Sequence, residues 1–405
     1  MAPLDVRREN SPIPPLIDGR RLRHIDALRA LAALLVVWRH VADFFVQADP
    51  SGNAGGHWMQ VVADKADVGH IGVIVFFLIS GYVIPFSIHA GRRAAVGSFL
   101  IKRFFRIFPA YWLSIPLGAL TGFWIWKQPF SAQDFLINLT LLQSLFGARA
   151  AEGLYWTLLA EWAFYALCVA LLLSGSLANM RRVCLLSVAL LSAYVLQLAA
   201  KRVGMPVANA NIGIACFYLS VMLCGTLYRT CVVEESSDDA KLFLASVYGL
   251  FAAHLVILPA AGWWLAGFGN SPWISSGVGF AVFIIGTRWL RVSTRLTDWL
   301  GQISYSIYLF HPVVFMALWW LLLRQPIGSW WRSQHLGVYL LVNAGLTIAM
   351  AALVYRFVEK PGIRIGHHCA EFWTRRAQDP SSTTLMRETA TASINPAHDR
   401  CGPSA

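Results

Sequence analysis

The sequence predicts an all-α membrane protein, a polytopic bundle of about ten transmembrane helices with both termini on the cytoplasmic side. Its composition points to this class, since 57% of the 405 residues are hydrophobic and only 13% are charged. In addition, apolar runs of about 20 residues recur along the chain, and each is long enough to cross a hydrocarbon core about 30 Å thick. The spans are predicted to be helices because backbone groups in lipid are satisfied only within helices or closed barrels.

Ten apolar runs define the predicted spans, with a polar segment on either side of them. The runs are approximately 28–47, 69–90, 107–126, 154–174, 183–200, 212–228, 242–260, 272–290, 298–323 and 336–358. The N-terminal segment 1–27 is polar and shows no cleaved signal sequence. Residues 363–405, rich in Ser, Thr and Pro, predict a disordered cytoplasmic tail. The transmembrane domain is therefore predicted to cover 28–362, with an apolar stretch in 127–153 that is too short to span and predicts a re-entrant or interfacial helix.

The distribution of charge predicts topology rather than a nucleic-acid partner. The formal net charge is +12, but Lys and Arg are scattered between the spans instead of gathering on one soluble face. They concentrate at the N-terminus and in alternate loops, as the positive-inside rule requires of the cytoplasmic side. The seven cysteines form no CxxC pair and lie mostly in or beside apolar runs. We therefore expect them to be packing residues, with no disulfide framework and no bound metal.

The first predicted span carries ionisable groups that hydrocarbon disfavours. Arg29 and His40 are eleven residues apart, which places them on one helix face about 16 Å from each other. Such groups are costly in a membrane and indicate function, with Arg29 near the cytoplasmic mouth and His40 deep in the bundle. The structural alternative is that Arg29 snorkels to the interface beside Asp26 while His40 bonds a neighbouring helix. Asp43 either orients the imidazole of His40 or is a solvated group at the outer end.

Three basic residues precede the third predicted span, in the stretch SFLIKRFFRIFPAYW. Two of them, Arg103 and Arg106, share a helix face and form a fork suited to phosphate oxygens. Lys102 lies beside them in the sequence. The alternative is that all three are ordinary topology signals that contact anionic lipid.

Two further spans contain polar groups. The stretch LYWTLLAEWAFYAL places Glu161 in the fourth span, near Trp156 and Tyr165. A lone carboxylate in a span needs a partner. Glu161 therefore either holds a hydroxyl of the acceptor, which is a functional role, or forms an ion pair with an arginine of another helix, which is a structural role. In GQISYSIYLFHPVVF a polar strip continues through Tyr305 to His311. His311 is either a satisfied core histidine or part of the site.

Taken in chain order, six segments resemble blocks of the acyltransferase-3 family of integral membrane acyltransferases. The first span resembles the family's signature of an arginine, ten intervening residues and a histidine, here Arg29 and His40. The other blocks are GVIVFFLISGYVI, KRFFRIFPAYW, LYWTLLAEWAFY, ISYSIYLFHPV and FVEKP. The resemblance covers about 22–362 and is to the stand-alone branch, which lacks a periplasmic hydrolase-like domain. Ile74 stands where the family usually has an acidic residue. The polar contacts of that acidic side chain are therefore either absent here or made by another residue, for which His70 is the candidate.

The resemblance implies an enzyme of the bacterial inner membrane that transfers an acyl group from acyl-CoA, with acetyl-CoA as the first choice. Under it, His40 acts as general base on the acceptor hydroxyl, or alternatively carries the acyl group in a transient acyl-histidine. Two further residues are expected to take part in catalysis: Arg29 and Glu161. Three are expected to bind the phosphates of the donor: Lys102, Arg103 and Arg106. Three are expected to contact the substrates: Trp156, Tyr305 and His311.

Several functions remain open from the sequence. The first acceptor is a hydroxyl of a surface polysaccharide or of its lipid-linked precursor, because a bundle without a soluble domain suits an amphiphilic acceptor. A macrolide-like small molecule is the alternative. From other classes, the chain is either a proton-coupled transporter that relays protons through Glu161, His40 and His311, or a non-catalytic partner in a polysaccharide export complex. The absence of an internal repeat argues against the transporter, and no oligomeric state is indicated.

Overall fold

Most of the predicted spans fall on helices with similar bounds, but the helix at the predicted span 107–126 already begins at Arg92. The computed structural model describes residues 22–45, 54–88, 92–127, 129–206, 210–233, 248–257, 272–326 and 328–378. Its α-helices are α1 (Arg23–Phe45), α2 (Ala54–Lys65), α3 (Val68–Val83), α4 (Arg92–Trp126), α5 (Ala132–Asn138), α6 (Tyr155–Leu173), α7 (Met180–Arg202), α8 (Ala210–Val233), α9 (Pro272–Arg288), α10 (Arg295–Leu323), α11 (Leu336–Val354) and α12 (Lys360–Gln378). No β-strand occurs in the described residues, and the all-α class is confirmed.

Six helical stretches in the described residues are long and apolar enough to cross a membrane. They are Val68–Ser87, Tyr155–Leu173, Met180–Arg202, Asn211–Thr230, Arg295–Leu323 and Leu336–Arg376. A shorter apolar helix covers Ile274–Arg288, and the predicted spans 28–47 and 107–126 fall on α1 and α4. Of the predicted span 242–260, residues 248–257 are described and helical, and the remaining residues lie outside the described part of the chain. The polytopic helical bundle is therefore confirmed.

Helix α1 can lie between its neighbours because small residues allow close approach. It packs mainly against α10 and α3. A Cβ atom added to Gly72 of α3 would overlap the backbone oxygen of Ala32, which is itself fully buried. Gly301 of α10 approaches the backbone of Asp26 in the same way. These contacts hold the helix with the signature residues inside the bundle.

Helices α3 and α8 cross at two glycines. A Cβ atom on Gly81 would overlap the carbonyl oxygen of Met222, and one on Gly225 would overlap that of Leu78. The Oγ1 atom of Thr226 also donates a hydrogen bond to the carbonyl oxygen of Gly81, at 3.0 Å. Close backbone contact and interhelical hydrogen bonds are what bind helices together in lipid, where apolar burial provides little driving force.

Replacing Gly81 with alanine is expected to lower the yield of folded protein sharply. The added methyl group has no room, and overpacking of a tight contact costs about 1 to 3 kcal/mol or more. The monodisperse fraction after detergent extraction, measured by size-exclusion chromatography, reports this loss. Gly345→Ala is the matched control, because no described atom lies within 4 Å of the position its Cβ would take. Equal yields from the two variants would contradict the prediction.

Helix α12 extends into the segment that the composition predicts to be disordered. The predicted tail begins at 363, whereas α12 continues well beyond that residue. Gly362 and Gly366 of α12 lie against Phe105 of α4. This close packing explains why the segment is helical despite its polar composition. Residues 379–405, the rest of the predicted tail, lie outside the described residues.

The apolar stretch in 127–153 forms one short helix and an ordered loop. The helix, α5, has 7 residues and begins with a capping box, in which Ser131 and Asp134 each accept a hydrogen bond from the other's backbone. The buried Asn138 ties the loop to α5, because its side chain bonds backbone groups in both. Helix α5 is too short to span a membrane. The loop leads directly into α6 and carries Glu152 into the bundle.

Candidate active site

Two cavities lie inside the bundle and share part of one wall. The first, here called the arginine cavity, is lined by Arg29 and by the arginine pair of α4. The second, the histidine cavity, is lined by His40. Val73 of α3 and Tyr308 of α10 line both cavities. The two signature residues of α1 therefore face two compartments that meet at this shared wall.

The arginine pair faces the arginine cavity, whereas the neighbouring lysine does not. Arg103 and Arg106 lie within α4 and both line the cavity. The Nη2 atom of Arg103 donates a hydrogen bond to Oγ of Ser87 at 3.0 Å, and its guanidinium carbon lies 5.4 Å from the ring centre of Tyr165. Lys102 is exposed and lies outside the cavity lining. The structure thus brings together two of the three basic residues predicted to bind phosphates.

Carboxylates offset part of the positive charge around the arginine cavity. Glu161 of α6 lines the cavity and accepts a hydrogen bond from the Tyr165 hydroxyl at 2.5 Å. Glu359, which is 1% exposed, interacts electrostatically with Arg29 and Arg106. The sequence predicts a functional role for Glu161 but not for Glu359, because a glutamate followed by Lys-Pro at a helix end has the pattern of a solvated group. The only indication of a role for Glu359 in the sequence is its position in the FVEKP block.

The ring of His40 lines the histidine cavity. Its centroid lies 5.2 Å from that of His311 and 5.9 Å from that of Phe315, and both rings are stacked with it. Both partners belong to α10, so α10 orients the imidazole carried by α1. Trp156, at the start of α6, lines the same cavity. The structure thus brings together His40 and Trp156, which lie in separate motifs of the sequence.

His311 lies behind His40 and lines neither described cavity. It is 1% exposed, and its Nδ1 atom lies 2.6 Å from the backbone oxygen of Tyr308. A carbonyl oxygen only accepts, so Nδ1 carries the proton and Nε2 keeps a lone pair. No described residue forms a hydrogen bond with this Nε2 atom. The arrangement supports a role in orienting His40 more than direct contact with a substrate.

A hydrogen bond between α6 and α10 lies at the shared wall. The hydroxyls of Tyr308 and Thr157 are 2.8 Å apart. Tyr305, predicted to contact a substrate, lines the arginine cavity, where its hydroxyl donates to the backbone oxygen of Ile107 at 2.9 Å. Tyr305 is therefore on the side of the arginine pair and not on the side of His40.

An ion-pair cluster at the histidine cavity accounts for Arg39 and Asp43. Arg39 forms ion pairs with Asp43, one helical turn away, and with Asp64 of α2 at 2.8 Å. Its Nε atom lies 3.5 Å from Asp67, the residue that caps α3. Asp43 is thus paired with Arg39 rather than with His40. The cluster connects α1, α2 and α3, a role for Arg39 that the sequence did not reveal.

Replacing Arg39 with alanine is expected to lower the free energy of unfolding by about 1 to 3 kcal/mol, the usual cost of leaving charged hydrogen-bonding groups without partners. Three carboxylates would then face one another with no cation between them. The midpoint of thermal unfolding in detergent measures the effect, and Arg39→Lys, which keeps the charge, should recover part of the loss. An unchanged midpoint in the alanine variant would show that the cluster is solvated and contributes little.

Ile74, which stands where the family usually has an acidic residue, lines neither the arginine cavity nor the histidine cavity. It is fully buried, and a Cβ atom on Gly279 of α9 would lie 2.6 Å from its Cγ2 atom. His70, one turn earlier, does line the histidine cavity, and its Nε2 atom has no hydrogen-bond partner among the described residues. An apolar helix contact therefore occupies the position of the usual acidic residue.

Glu152 also lines the histidine cavity, although the sequence does not predict it as a site residue. It lies just before α6 and is 2% exposed. Burial raises the pKa of the Glu152 carboxyl to about 8. A glutamate in a connecting segment is usually solvated, so its residue type and position gave no signal of burial.

Comparisons with known proteins agree with the arrangement of these residues. A family model described as an acyltransferase domain, the acyltransferase-3 model, matches residues 22–356. The chain is 25% identical over 395 residues to Nodulation protein 10 of Rhizobium leguminosarum bv. viciae, with 86% of this chain and 95% of that protein covered. No solved structure matches the chain. The family match indicates an acyl-transferring enzyme, as the sequence predicts.

Proposed function

Because the chain belongs to the acyltransferase-3 family of integral membrane acyltransferases, we propose that it transfers an acyl group, acetyl in the first instance, from acyl-CoA to a hydroxyl of a surface polysaccharide or of its lipid-linked precursor. The proposed location is the inner membrane of a bacterium. The observation that supports this function best is the pair of cavities, one lined by arginines and one by His40, that meet at Val73 and Tyr308.

The arginine cavity is the proposed site for the donor. Arg29, Arg103 and Arg106 line it, and guanidinium groups bind phosphate oxygens through paired, charge-assisted hydrogen bonds. The Nε atom of Arg29 has no hydrogen-bond partner among the described residues, so this buried donor group is available to an anion. Three arginines in one cavity therefore fit the phosphates of coenzyme A.

The distance between the two sites fits the reach of the donor. Arg29 and His40 are separated by eleven residues of α1, or about 16 Å along the helix. The extended pantetheine arm of coenzyme A is about 15 to 20 Å long by counting bonds at backbone-like spacing. With the phosphates held at the arginines, the thioester reaches the level of the shared wall and His40.

His40 is the proposed general base. Its imidazole takes the proton of the acceptor hydroxyl, whose oxygen forms a bond to the acyl carbon while the bond from that carbon to sulfur breaks. The proton then passes to the departing thiolate, so the products are the acyl ester and free coenzyme A. The stacked ring of His311 holds the imidazole plane during this transfer.

The purified protein in liposomes tests the function. Radiolabelled acetyl-CoA is supplied on the side of the arginine cavity, together with lipid-linked glycan extracted from the source cells. The expected result is labelled glycan ester and an equal amount of free coenzyme A. Label in a small organic molecule instead would indicate the macrolide-like alternative, and the absence of coenzyme A release would overturn the proposal.

A further inference from the structure

A buried carboxyl group lies in the histidine cavity and has no role in the chemistry described above. Glu152 lines that cavity with His40 and Trp156. It is 2% exposed, and its Oε1 atom has no hydrogen-bond partner among the described residues. A buried polar atom without a partner costs free energy, so a partner supplied by a ligand would offset that cost.

The protein makes room for this carboxyl group. A Cβ atom on Gly118 of α4 would lie 2.6 Å from both Cγ and Oε1 of Glu152. Glycine at this position therefore lets the side chain lie against the backbone of α4. A larger residue would push the carboxyl group out of this position.

No ion pair explains the burial of Glu152 among the described residues. The titratable groups that line the cavity with it are Arg39, His40, Asp43, Asp67, His70 and Tyr308, and Tyr155 lies close by at the start of α6. The one cation in that set, Arg39, is bound by the three aspartates of its cluster. Burial raises the pKa of the Glu152 carboxyl to about 8, with no opposing basic group. At neutral pH the group is therefore mainly the uncharged acid.

We propose that Glu152 binds the acceptor, and that its carboxyl group presents an acceptor hydroxyl to His40. This inference rests on the proposed acyl transfer and names the substrate class of the histidine cavity. A carboxylic acid donates one hydrogen bond through its O–H and accepts another through its carbonyl oxygen. It therefore suits a neutral acceptor with neighbouring hydroxyls, as in a sugar ring, and gives no charge attraction to an amine.

Two substitutions of Glu152 test whether its protonated carboxyl group binds the acceptor through hydrogen bonds. Glu152→Gln keeps one donor and one acceptor in the same shape and does not titrate, whereas Glu152→Leu removes both. The assay measures acetyl transfer from acetyl-CoA to methyl α-glucoside, a polyhydroxylated probe, in the purified full-length protein between pH 6.5 and 9.5. Coenzyme A release without the glucoside is measured in parallel. Glu371→Gln, an exposed carboxyl group on α12, is the control.

We expect the Glu152 variants to change the KM for the acceptor, or its dependence on pH, and to leave the KM for the donor unchanged. Glu152→Leu raises the KM for the glucoside about tenfold, as expected when a neutral hydrogen bond is lost, and leaves the KM for acetyl-CoA unchanged. In the wild type the KM for the glucoside rises above pH 8, where the carboxyl loses its proton. Glu152→Gln binds the glucoside as well as the wild type at pH 7 and shows no such rise. Gly118→Ala, which displaces the carboxyl group, resembles the leucine variant.

Other results would overturn the inference. An unchanged glucoside KM in the leucine variant, or a glutamine variant as weak as the leucine variant at pH 7, would show that the acid does not bind the acceptor. Coenzyme A release by the wild type without transfer to the glucoside would reject the acceptor class and keep the acyltransferase. Absence of both coenzyme A release and transfer would instead reject the proposed function itself.

Discussion

Replacing His40 with alanine is expected to lower the rate of acyl transfer by about 10² to 10⁴, the usual contribution of general acid–base catalysis. The imidazole is the proposed base, and its ring lines the cavity assigned to the acceptor. The fold and the affinity for acyl-CoA should remain close to wild type, because the arginines that line the other cavity are untouched. Coenzyme A release at saturating donor measures the rate, and competition by free coenzyme A measures the affinity.

The matched control for this variant is His254→Ala. His254 is also fully buried, stacks on Phe280 at 4.5 Å and lines neither described cavity. Both variants remove an imidazole from the bundle, so a loss of activity shared by the two would point to misfolding. Full activity in His40→Ala would end the proposal that this residue is the base.

Replacing both Arg103 and Arg106 with alanine is expected to raise the KM for acyl-CoA by about 10- to 100-fold for each hydrogen bond to phosphate that is lost. The guanidinium groups line the arginine cavity, and binding there is proposed to hold the charged end of the donor. The KM for the acceptor should not change, since it binds at the histidine cavity. Initial rates at varied acyl-CoA, with the acceptor saturating, give the constant.

Two controls separate donor binding from charge and packing. Arg364→Ala removes an exposed positive charge from α12, which packs on α4. Ser87→Ala removes the hydrogen bond that Arg103 donates at 3.0 Å, without removing the guanidinium group. Neither should raise the KM for acyl-CoA as the double variant does. If the double variant keeps the wild-type KM, the pair has only a topological role.

Much of the fold was predictable because hydrocarbon allows few solutions. Long apolar runs must be helices, and their ends follow from where polar residues return. The helical state of α12 was not predictable in this way, since its composition is polar. It depends on Gly362 and Gly366 lying against Phe105 of another helix, a contact that no local pattern reveals.

The site was predictable where a residue is chemically out of place in a span. Arg29, His40 and Glu161 are expensive in lipid, and the structure places all three on cavity walls. Glu152 lies in a connecting segment, where a glutamate is ordinary, so only the fold shows that it is buried. Lys102 shows the opposite case, because adjacency to Arg103 in sequence does not place it on the same helix face.

The shared wall at Val73 and Tyr308 has an electrostatic consequence for the proposed reaction. Moving an ion from water into a medium of low dielectric constant costs of order 20 kcal/mol before any compensation. If the nucleotide stays among the arginines, only the uncharged thioester arm has to pass between the two cavities. An activated compound made on one face of a bilayer can then modify a molecule on the other face, and no formal charge is ever carried through the apolar interior.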